Sequence, residues 1–152
     1  MGRNMSIEIR REAGLCYPEL AEKHWSWPEQ PLYSAVLFLA DTPIGIIRCF
    51  SRDLCPIRYG TVILTCLGIG GVYIKSDFRG SGYADQLLDW VIENRSPEFA
   101  MAVLFSDTPR TLYVRHGFKP LLTPDSKQAW YRFFVSGIKL DHRCSWDLGI
   151  KF

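Results

Sequence analysis

Residues 76–90, SDFRGSGYADQLLDW, join a glycine-rich turn directly to an amphipathic helix. Apolar residues follow at spacings of three and four, which places them on one helical face: Ala84, Leu87, Leu88, Val91 and Ile92. A helix N-terminus has backbone amides without intrahelical partners and a partial positive charge. Glycines just before it remove side chains, so an anion can sit directly on those amides. The stretch predicts a phosphate-binding turn, with Arg79 as a charged fork for phosphate oxygens.

The glycines of this turn are also compatible with a plain connection between a strand and a helix, and by themselves they leave both interpretations open. The turn lacks the Gly-Lys-Ser/Thr ending of the nucleotide-binding P-loop. It also lacks the third glycine of the dinucleotide-binding fingerprint, because Asp85 stands at that position. The ligand class therefore depends on the flanking sequence.

The flanking sequence predicts an α/β domain. Strands are predicted over residues 6–10, 34–40, 44–50, 61–74, 100–105, 118–122 and 129–135, and helices over 11–23, 83–96 and 109–116. Asp41-Thr42-Pro43 is the expected hairpin turn, and residues 51–59 are expected to be a polar excursion, a polar segment outside the strands. Strands and helices alternate in the middle of the chain and strands pair at both ends, which is typical of a mixed sheet.

Composition restricts the classes of function. A chain of 152 residues suits one domain over residues 1–152. The net charge of +2, without a run of like charges, argues against nucleic-acid and membrane surfaces. The five cysteines show no CxxC pair and the three histidines are scattered, so we expect neither a metal site nor a disulfide framework. This cysteine usage indicates a reducing compartment, by default the cytoplasm.

Two motifs together resemble the GNAT superfamily of N-acetyltransferases. Residues 79–84, RGSGYA, match the Q/R-x-x-G-x-G/A pattern of that family at the start of a helix. Tyr113 begins its second signature, Tyr-x-x-x-Gly-Phe, which ends in Gly117-Phe118. The resemblance covers about residues 60–122. It implies a single-domain GNAT fold, with a mixed, mostly antiparallel sheet flanked by helices and a splayed strand pair that binds acetyl-CoA.

The resemblance implies a cosubstrate site built largely from backbone. The backbone of Val72, Tyr73 and Ile74 would hold the pantetheine arm and polarise the thioester carbonyl, which is an oxyanion-type role. The amides that would receive the pyrophosphate are those of Gly80, Ser81, Gly82, Tyr83 and Ala84. No metal is expected in this site.

The same resemblance makes Tyr113 the general acid that protonates the departing CoA thiolate, since a phenol holds its proton at neutral pH. The alternative is a tyrosine that packs its short helix onto the sheet. Ser106 stands where many relatives carry an asparagine that contacts pantetheine. The strand over 61–74 lacks the glutamate that helps to deprotonate the amine in many relatives, and Asp107 is a candidate base that could equally cap a helix.

The function implied is transfer of an acetyl group from acetyl-CoA to a primary amine of a small molecule, by direct attack. The acceptor would be held by aromatic residues of the stretches 24–31 and 130–134, which could instead close the core. The alternative function is a non-catalytic acyl-CoA-binding sensor or partner subunit, and a minority interpretation of the substrate is an aminoglycoside. A homodimer is compatible with the exposed aromatic residues expected near the C-terminus.

Overall fold

The computed structural model describes residues 6–14, 16–20, 30–56, 64–105, 111–121, 129–134 and 146–147. The strands are β1 (Ile7–Ala13), β2 (Tyr33–Leu39), β3 (Thr42–Pro56), β4 (Leu64–Ile74), β5 (Met101–Phe105), β6 (Lys119–Leu121), β7 (Ala129–Phe133) and β8 (Trp146–Asp147). The helices are α1 (Tyr83–Glu93) and α2 (Thr111–Arg115), with short 3-10 turns at Pro18–Leu20 and Ser76–Phe78.

The strands pair in the order β1-β2-β3-β4-β5-β7-β6, and β8 pairs with β3. β4 and β5 are parallel, whereas β1 with β2, β2 with β3, β5 with β7 and β6 with β7 are antiparallel. The expected α/β fold with a mixed, mostly antiparallel sheet is confirmed. The chain divides into two compact units, which are described separately below, and a single domain over residues 1–152 stays a prediction.

The first unit comprises Met1–Cys49 and Val72–Asn94 and contains the glycine turn. Its strand β2 is buried along its whole length, and α1 packs on it. α1 buries Leu87, Leu88, Val91 and Ile92, which are four of the apolar residues of the predicted stripe. A second cluster consists of Leu20, Val36, Phe38 and Ile46, with Tyr73 packed against it. Burial of these side chains supplies most of the free energy that holds α1 and the end of β4 in place.

The second unit comprises Phe50–Gly71 and Arg95–Phe152. Its strand β4 pairs with β5 from Cys66 opposite Met101 to Ile69 opposite Leu104. The core cluster contains Cys66, Met101, Val103 and Ala129, and the aromatic rings of Tyr131 and Phe133 pack against it. These two members of the aromatic stretch therefore contribute to the core, as the alternative interpretation had it.

The prediction of a helix over residues 11–23 is wrong where the structure describes them. Arg11 lies in β1 opposite Ala35 of β2. The backbone groups of this segment are satisfied by pairing with β2, so they do not need the local hydrogen bonds of a helix. Gly14 and Tyr17 have positive φ angles of 58° and 50°, which end the strand and turn the chain. Pro18 then begins only a single 3-10 turn. Residues 15 and 21–23 lie outside the described residues.

The hairpin is confirmed with shifted bounds, and the polar excursion is wrong for residues 51–56. β2 ends at Leu39 and β3 starts at Thr42, so the turn is Ala40-Asp41, with φ 53° at Ala40. β3 continues to Pro56 because its far end has partners: the Thr65 hydroxyl donates to Asp53 Oδ1 at 3.2 Å, and β8 pairs with the last two residues. No helix in the described part of the chain is long and apolar enough to cross a membrane.

Candidate functional site

The C-terminal end of β4 extends beyond its described ladder with β5. The last pair of that ladder is Ile69 with Leu104, and β4 continues to Ile74. Gly71 has a φ of 78°, a left-handed conformation that is typical of a β-bulge. Val72 and Tyr73 are half-buried and Ile74 is buried. The backbone of residues 72–74 is thus an extended segment with its side chains anchored in the first unit.

The peptide group between Ile74 and Lys75 is held at both ends. The Lys75 N–H donates to the Ile44 carbonyl at 2.8 Å. The Ile74 carbonyl accepts a hydrogen bond of 2.8 Å from Nε of Arg79, whose guanidinium carbon lies 5.4 Å from the centroid of the Tyr73 ring. Arg79 therefore folds back onto β4, which the sequence did not predict.

Gly45 of β3 allows this end of β4 to approach closely. A Cβ atom at Gly45 would lie 2.5 Å from Cδ1 of Ile74, which is closer than real Cβ atoms come, and at a tight 3.3 Å from the Tyr73 carbonyl oxygen. The nearest α1 atom, Cδ2 of Leu87, would be at 3.6 Å. The missing side chain of Gly45 therefore fixes how tightly β3 and β4 pack beneath α1.

The glycine turn presents bare backbone before α1. Gly80 and Gly82 both have φ angles of 82°, which disfavour other residues, and a Cβ atom at either position would meet no atom within 4 Å. Gly82 is the N-cap residue, and its carbonyl accepts the first helical hydrogen bond from Gln86 N–H at 3.1 Å. No side chain caps this helix start. The N–H groups of Tyr83 and Ala84 lie before that first bond and therefore have no acceptor within the helix, as at any helix N-terminus.

The first unit thus brings together all the residues that the sequence assigns to the pantetheine and the pyrophosphate, except Ser106. Ser106 and Asp107 lie outside the described residues, as does the aromatic stretch 24–29. Within the part of the chain that the structure describes, no group of three or more His, Cys, Asp or Glu side chains could hold a metal ion.

Tyr113 lies on α2 in the second unit and is 5% exposed. Its ring meets the Phe118 ring edge to face, with centroids 6.1 Å apart, and lies tilted against the Trp130 ring at 6.2 Å. Its carbonyl accepts hydrogen bonds from the His116 and Phe118 amides at 3.1 and 3.0 Å, which close the helix at Gly117 with a φ of 79°. The packing role expected as the alternative is therefore present.

His116 is buried at the end of α2, where Arg132 Nη1 donates to its carbonyl at 2.8 Å. Arg115, on the same helix, is exposed. His116 is the residue that directly precedes the glycine that ends α2.

A buried polar group on β3 was missed from the sequence. Arg48 is fully buried opposite Ser34 of β2, and this burial lowers the pKa of its guanidinium. Burial raises the pKa of the neighbouring Cys16 thiol, while its hydrogen bond with Ser34 acts in the other direction. Burial also raises the pKa of the Cys49 thiol, to about 12. The signal for Arg48 was a single charge within the apolar run IGIIRCF of residues 44–50.

Comparison with known proteins decides the family. A family model described as "Acetyltransferase (GNAT) domain" matches residues 33–120, which is more than half of the chain. The chain belongs to the GNAT acetyltransferase family. The match includes both motifs of the sequence, the glycine turn and the Tyr-x-x-x-Gly-Phe signature. No curated protein sequence matches this GNAT chain.

Solved structures agree on the fold. A GCN5-related N-acetyltransferase from Kribbella flavida is 20% identical with a TM-score of 0.53, over 59% of this chain and 22% of that one. A mutant AtaT toxin bound to acetyl-CoA and the C-terminus of the antitoxin AtaR is 12% identical with a TM-score of 0.52, over 66% of each chain. Arabidopsis thaliana Naa50 with the bisubstrate analogue CoA-Ac-MVNAL is 16% identical with a TM-score of 0.50, over 66% of this chain and 72% of that one.

These identities are low, so the likeness to the solved structures establishes the fold alone. The chain spans about a fifth of the Kribbella protein and about two thirds of the other two. The expectations of a GNAT acetyltransferase and of acetyl-CoA as the cosubstrate of its family are confirmed. The acceptor and the role of each residue are not decided by these comparisons.

Proposed function

We propose that this chain transfers an acetyl group from acetyl-CoA to a primary amine. The observation that carries the proposal is the glycine turn at Gly80 and Gly82. Its bare backbone precedes the N-terminus of α1, and space is open at both Cβ positions. A pyrophosphate accepted by the amides of residues 80–84 would meet the partial positive charge of the helix without a steric cost. Arg79 belongs to the same site through its bond to the end of β4.

The backbone of Val72, Tyr73 and Ile74 is proposed to hold the pantetheine arm and to polarise the thioester carbonyl. Support comes from the extension of β4 beyond its described ladder with β5 and from the firm anchoring of its end. Amides aimed at a carbonyl oxygen stabilise the negative charge that develops when the carbon is attacked. Ser106 is proposed as a further contact of the pantetheine arm, in the place of the family's asparagine.

In the proposed reaction, the neutral amine attacks the thioester carbon and a C–N bond forms. The tetrahedral intermediate then collapses, the C–S bond breaks, and the electron pair stays on the CoA sulfur. Tyr113 donates its phenolic proton to that sulfur, the amine nitrogen loses a proton to solvent, and the Tyr113 phenolate regains a proton from solvent. Support for Tyr113 comes from its match to the family's signature. Its neighbours Phe118 and Trp130 also pack against the ring and hold it in one orientation.

The proposed acceptor is a small-molecule amine rather than a nucleic acid. AtaT, which is among the similar structures, has also been solved in complex with acetyl-methionyl-tRNAfMet, whereas this chain has a net charge of only +2. A tRNA acceptor calls for an extended basic surface, because phosphate contacts dominate such affinities. A peptide N-terminus is the competing acceptor, since Naa50 was solved with a peptide-CoA analogue. Aminoglycosides are the minority candidate.

The competing function, a non-catalytic acyl-CoA sensor or partner subunit, is motivated by the absence of an acid from β4 and by the replacement at Ser106. The deciding experiment mixes the purified protein with acetyl-CoA and a panel of polyamines, amino acids, short peptides and aminoglycosides. Release of free CoA thiol is then followed. Amine-dependent release supports the transferase and identifies the acceptor class. Acetyl-CoA binding without release by any class supports the sensor.

Three further proposals concern the whole protein. A cytoplasmic location is supported by the five cysteines, which are odd in number and show no CxxC spacing, and a single domain by the chain length. A homodimer is supported by the position of β1 at the end of the described strand order, where a second copy could pair. Sedimentation at micromolar concentration measures the last of these directly.

A further inference from the structure

We propose that Arg79 is a positioning residue, which acts through its Nε–H on the end of β4 rather than through the charge of its guanidinium. This inference rests on the proposed acetyl-CoA site. The Nε–H donates to the Ile74 carbonyl at 2.8 Å, so the side chain points back toward the strand. An arginine that served phosphate oxygens alone would have no need of this bond.

The geometry of one peptide group carries the inference. The carbonyl of the 74–75 peptide accepts from Arg79, and its N–H, on Lys75, donates to Ile44 at 2.8 Å. A planar peptide held at its oxygen and at its nitrogen cannot rotate about its flanking bonds without breaking a hydrogen bond. Gly45 closes the third side, because the Ile74 side chain packs against its bare backbone. The strand end that presents the amides of Tyr73 and Ile74 is therefore fixed in orientation.

Arg79 is also the residue directly before Gly80, where the glycine turn begins. The chain from Lys75 to Arg79 is drawn into a tight turn by Phe78 N–H, which donates to the Lys75 carbonyl at 2.9 Å. The Nε bond thus ties the last residue of this turn to the last residue of β4. One hydrogen bond connects the strand assigned to pantetheine with the amides assigned to pyrophosphate. Its loss would disturb both halves of the site together.

The chemistry of the side chain separates this role from a charge role. Nε is the fourth heavy atom of the arginine side chain, counted from Cβ, and glutamine places its Nε2 donor at the same position without a charge. Lysine keeps the charge but carries a methylene there, and its ammonium lies one atom farther out. Methionine carries a methyl group at that position. Arg79→Gln, Arg79→Lys and Arg79→Met therefore separate donor, charge and bulk.

The first measurement is acetyl-CoA affinity by calorimetry. We expect Arg79→Gln to bind within about twofold of the wild type, and Arg79→Lys and Arg79→Met to bind about tenfold more weakly, as for loss of one hydrogen bond. Arg10→Gln removes the same charge from β1 of the same unit and is the matched control. Full affinity in Arg79→Lys with a loss in Arg79→Gln would overturn the proposal in favour of a phosphate fork.

A second ligand sharpens the distinction. Pantetheine lacks the pyrophosphate, so a phosphate fork predicts that its affinity, measured by NMR titration, is the same in all variants. The positioning role predicts weaker pantetheine binding in Arg79→Lys and Arg79→Met and rescue in Arg79→Gln. Unchanged pantetheine binding in Arg79→Lys would contradict the proposal.

A third readout needs no ligand. Hydrogen exchange of peptides that cover residues 72–80 in the free protein should be faster in Arg79→Lys than in the wild type, and unchanged in Arg79→Gln. Equal exchange in all variants would overturn the positioning role.

The failure of this inference can be told apart from the failure of the proposed function. If the wild type did not bind acetyl-CoA, the proposed function would be wrong, and hydrogen exchange would still decide the role of Arg79. If Arg79→Met does not fold, the glutamine and lysine variants carry the test.

Discussion

The glycine turn before α1 and the end of α2 carry the two family motifs. The first depends on side chains that are absent, and the second on one side chain that is buried and closely packed. At Gly80 and Gly82 the important feature is the absence of a side chain, since beyond the adjacent residues no atom lies within 4 Å of either Cβ position. At Tyr113 the ring is 5% exposed and contacts two other aromatic rings. The turn should therefore fail when atoms are added, whereas Tyr113 should fail when one hydroxyl is removed. The first failure concerns binding and the second concerns chemistry.

Gly82→Glu tests the turn and has the largest expected effect. It puts a carboxylate at the proposed pyrophosphate position and a side chain at a φ of 82°. We expect acetyl-CoA affinity, measured by calorimetry, to fall by about a hundredfold or more, as for a like charge facing the anion. Gly82→Asn tolerates the left-handed backbone without adding charge and is the control. An affinity of Gly82→Glu close to that of the wild type would remove the pyrophosphate from this turn.

Tyr113→Phe tests the other side of the comparison and leaves the ring in place. We expect kcat for the best amine of the panel to fall by about ten- to a hundredfold, because the CoA thiolate loses its acid. Acetyl-CoA affinity should stay within about twofold, since no binding group is removed. A variant with unchanged kcat would leave Tyr113 with its packing role only.

Gly45→Ala asks whether the end of β4 depends on close packing. The added methyl group would overlap Cδ1 of Ile74, and we expect a loss of about 1–3 kcal/mol in the free energy of unfolding with weaker acetyl-CoA binding. The double variant Gly45→Ala/Ile74→Val removes the overlapping atom and should recover part of both losses. Urea unfolding and calorimetry of the same samples measure the two quantities. Additive losses in the double variant would argue against this contact.

Phe118→Leu has the smallest expected effect and isolates packing from chemistry. It removes the ring that meets Tyr113 edge to face, and we expect the free energy of unfolding to fall by about 1 kcal/mol. Acetyl-CoA affinity should not change, because the backbone at the glycine turn is untouched. A loss of affinity as large as that of Gly82→Glu would erase the distinction between the two motifs.

The sequence predicted those parts of the structure that depend on local pattern. The apolar stripe of α1 and the apolar run of β2 are encoded within a few residues of chain, so the local sequence pattern was enough to find them. The strand β1 was partly missed, because Arg11 is held by pairing with β2, which is distant in sequence. A helix over 11–23 was locally plausible, but Pro18 and the positive φ angles of Gly14 and Tyr17 before it interrupt a helix.

The candidate site shows the same division. The glycines that keep the turn bare could be assigned from the motif, since backbone freedom belongs to the residue type itself. The bond from Arg79 to the Ile74 carbonyl could not, because it depends on how the turn between them folds. Likewise, burial of Arg48 and of His116 depends on packing around them rather than on their neighbours in the chain.

The most direct test of the central claim is an amide NMR titration of the wild-type protein with CoA, with pantetheine as the matched ligand that lacks the pyrophosphate. The account predicts that CoA shifts the amide signals of Gly80, Ser81, Gly82, Tyr83 and Ala84 most strongly. Pantetheine should shift mainly those of Val72, Tyr73 and Ile74. Saturable CoA binding that leaves the amides of residues 80–84 unperturbed would contradict the account.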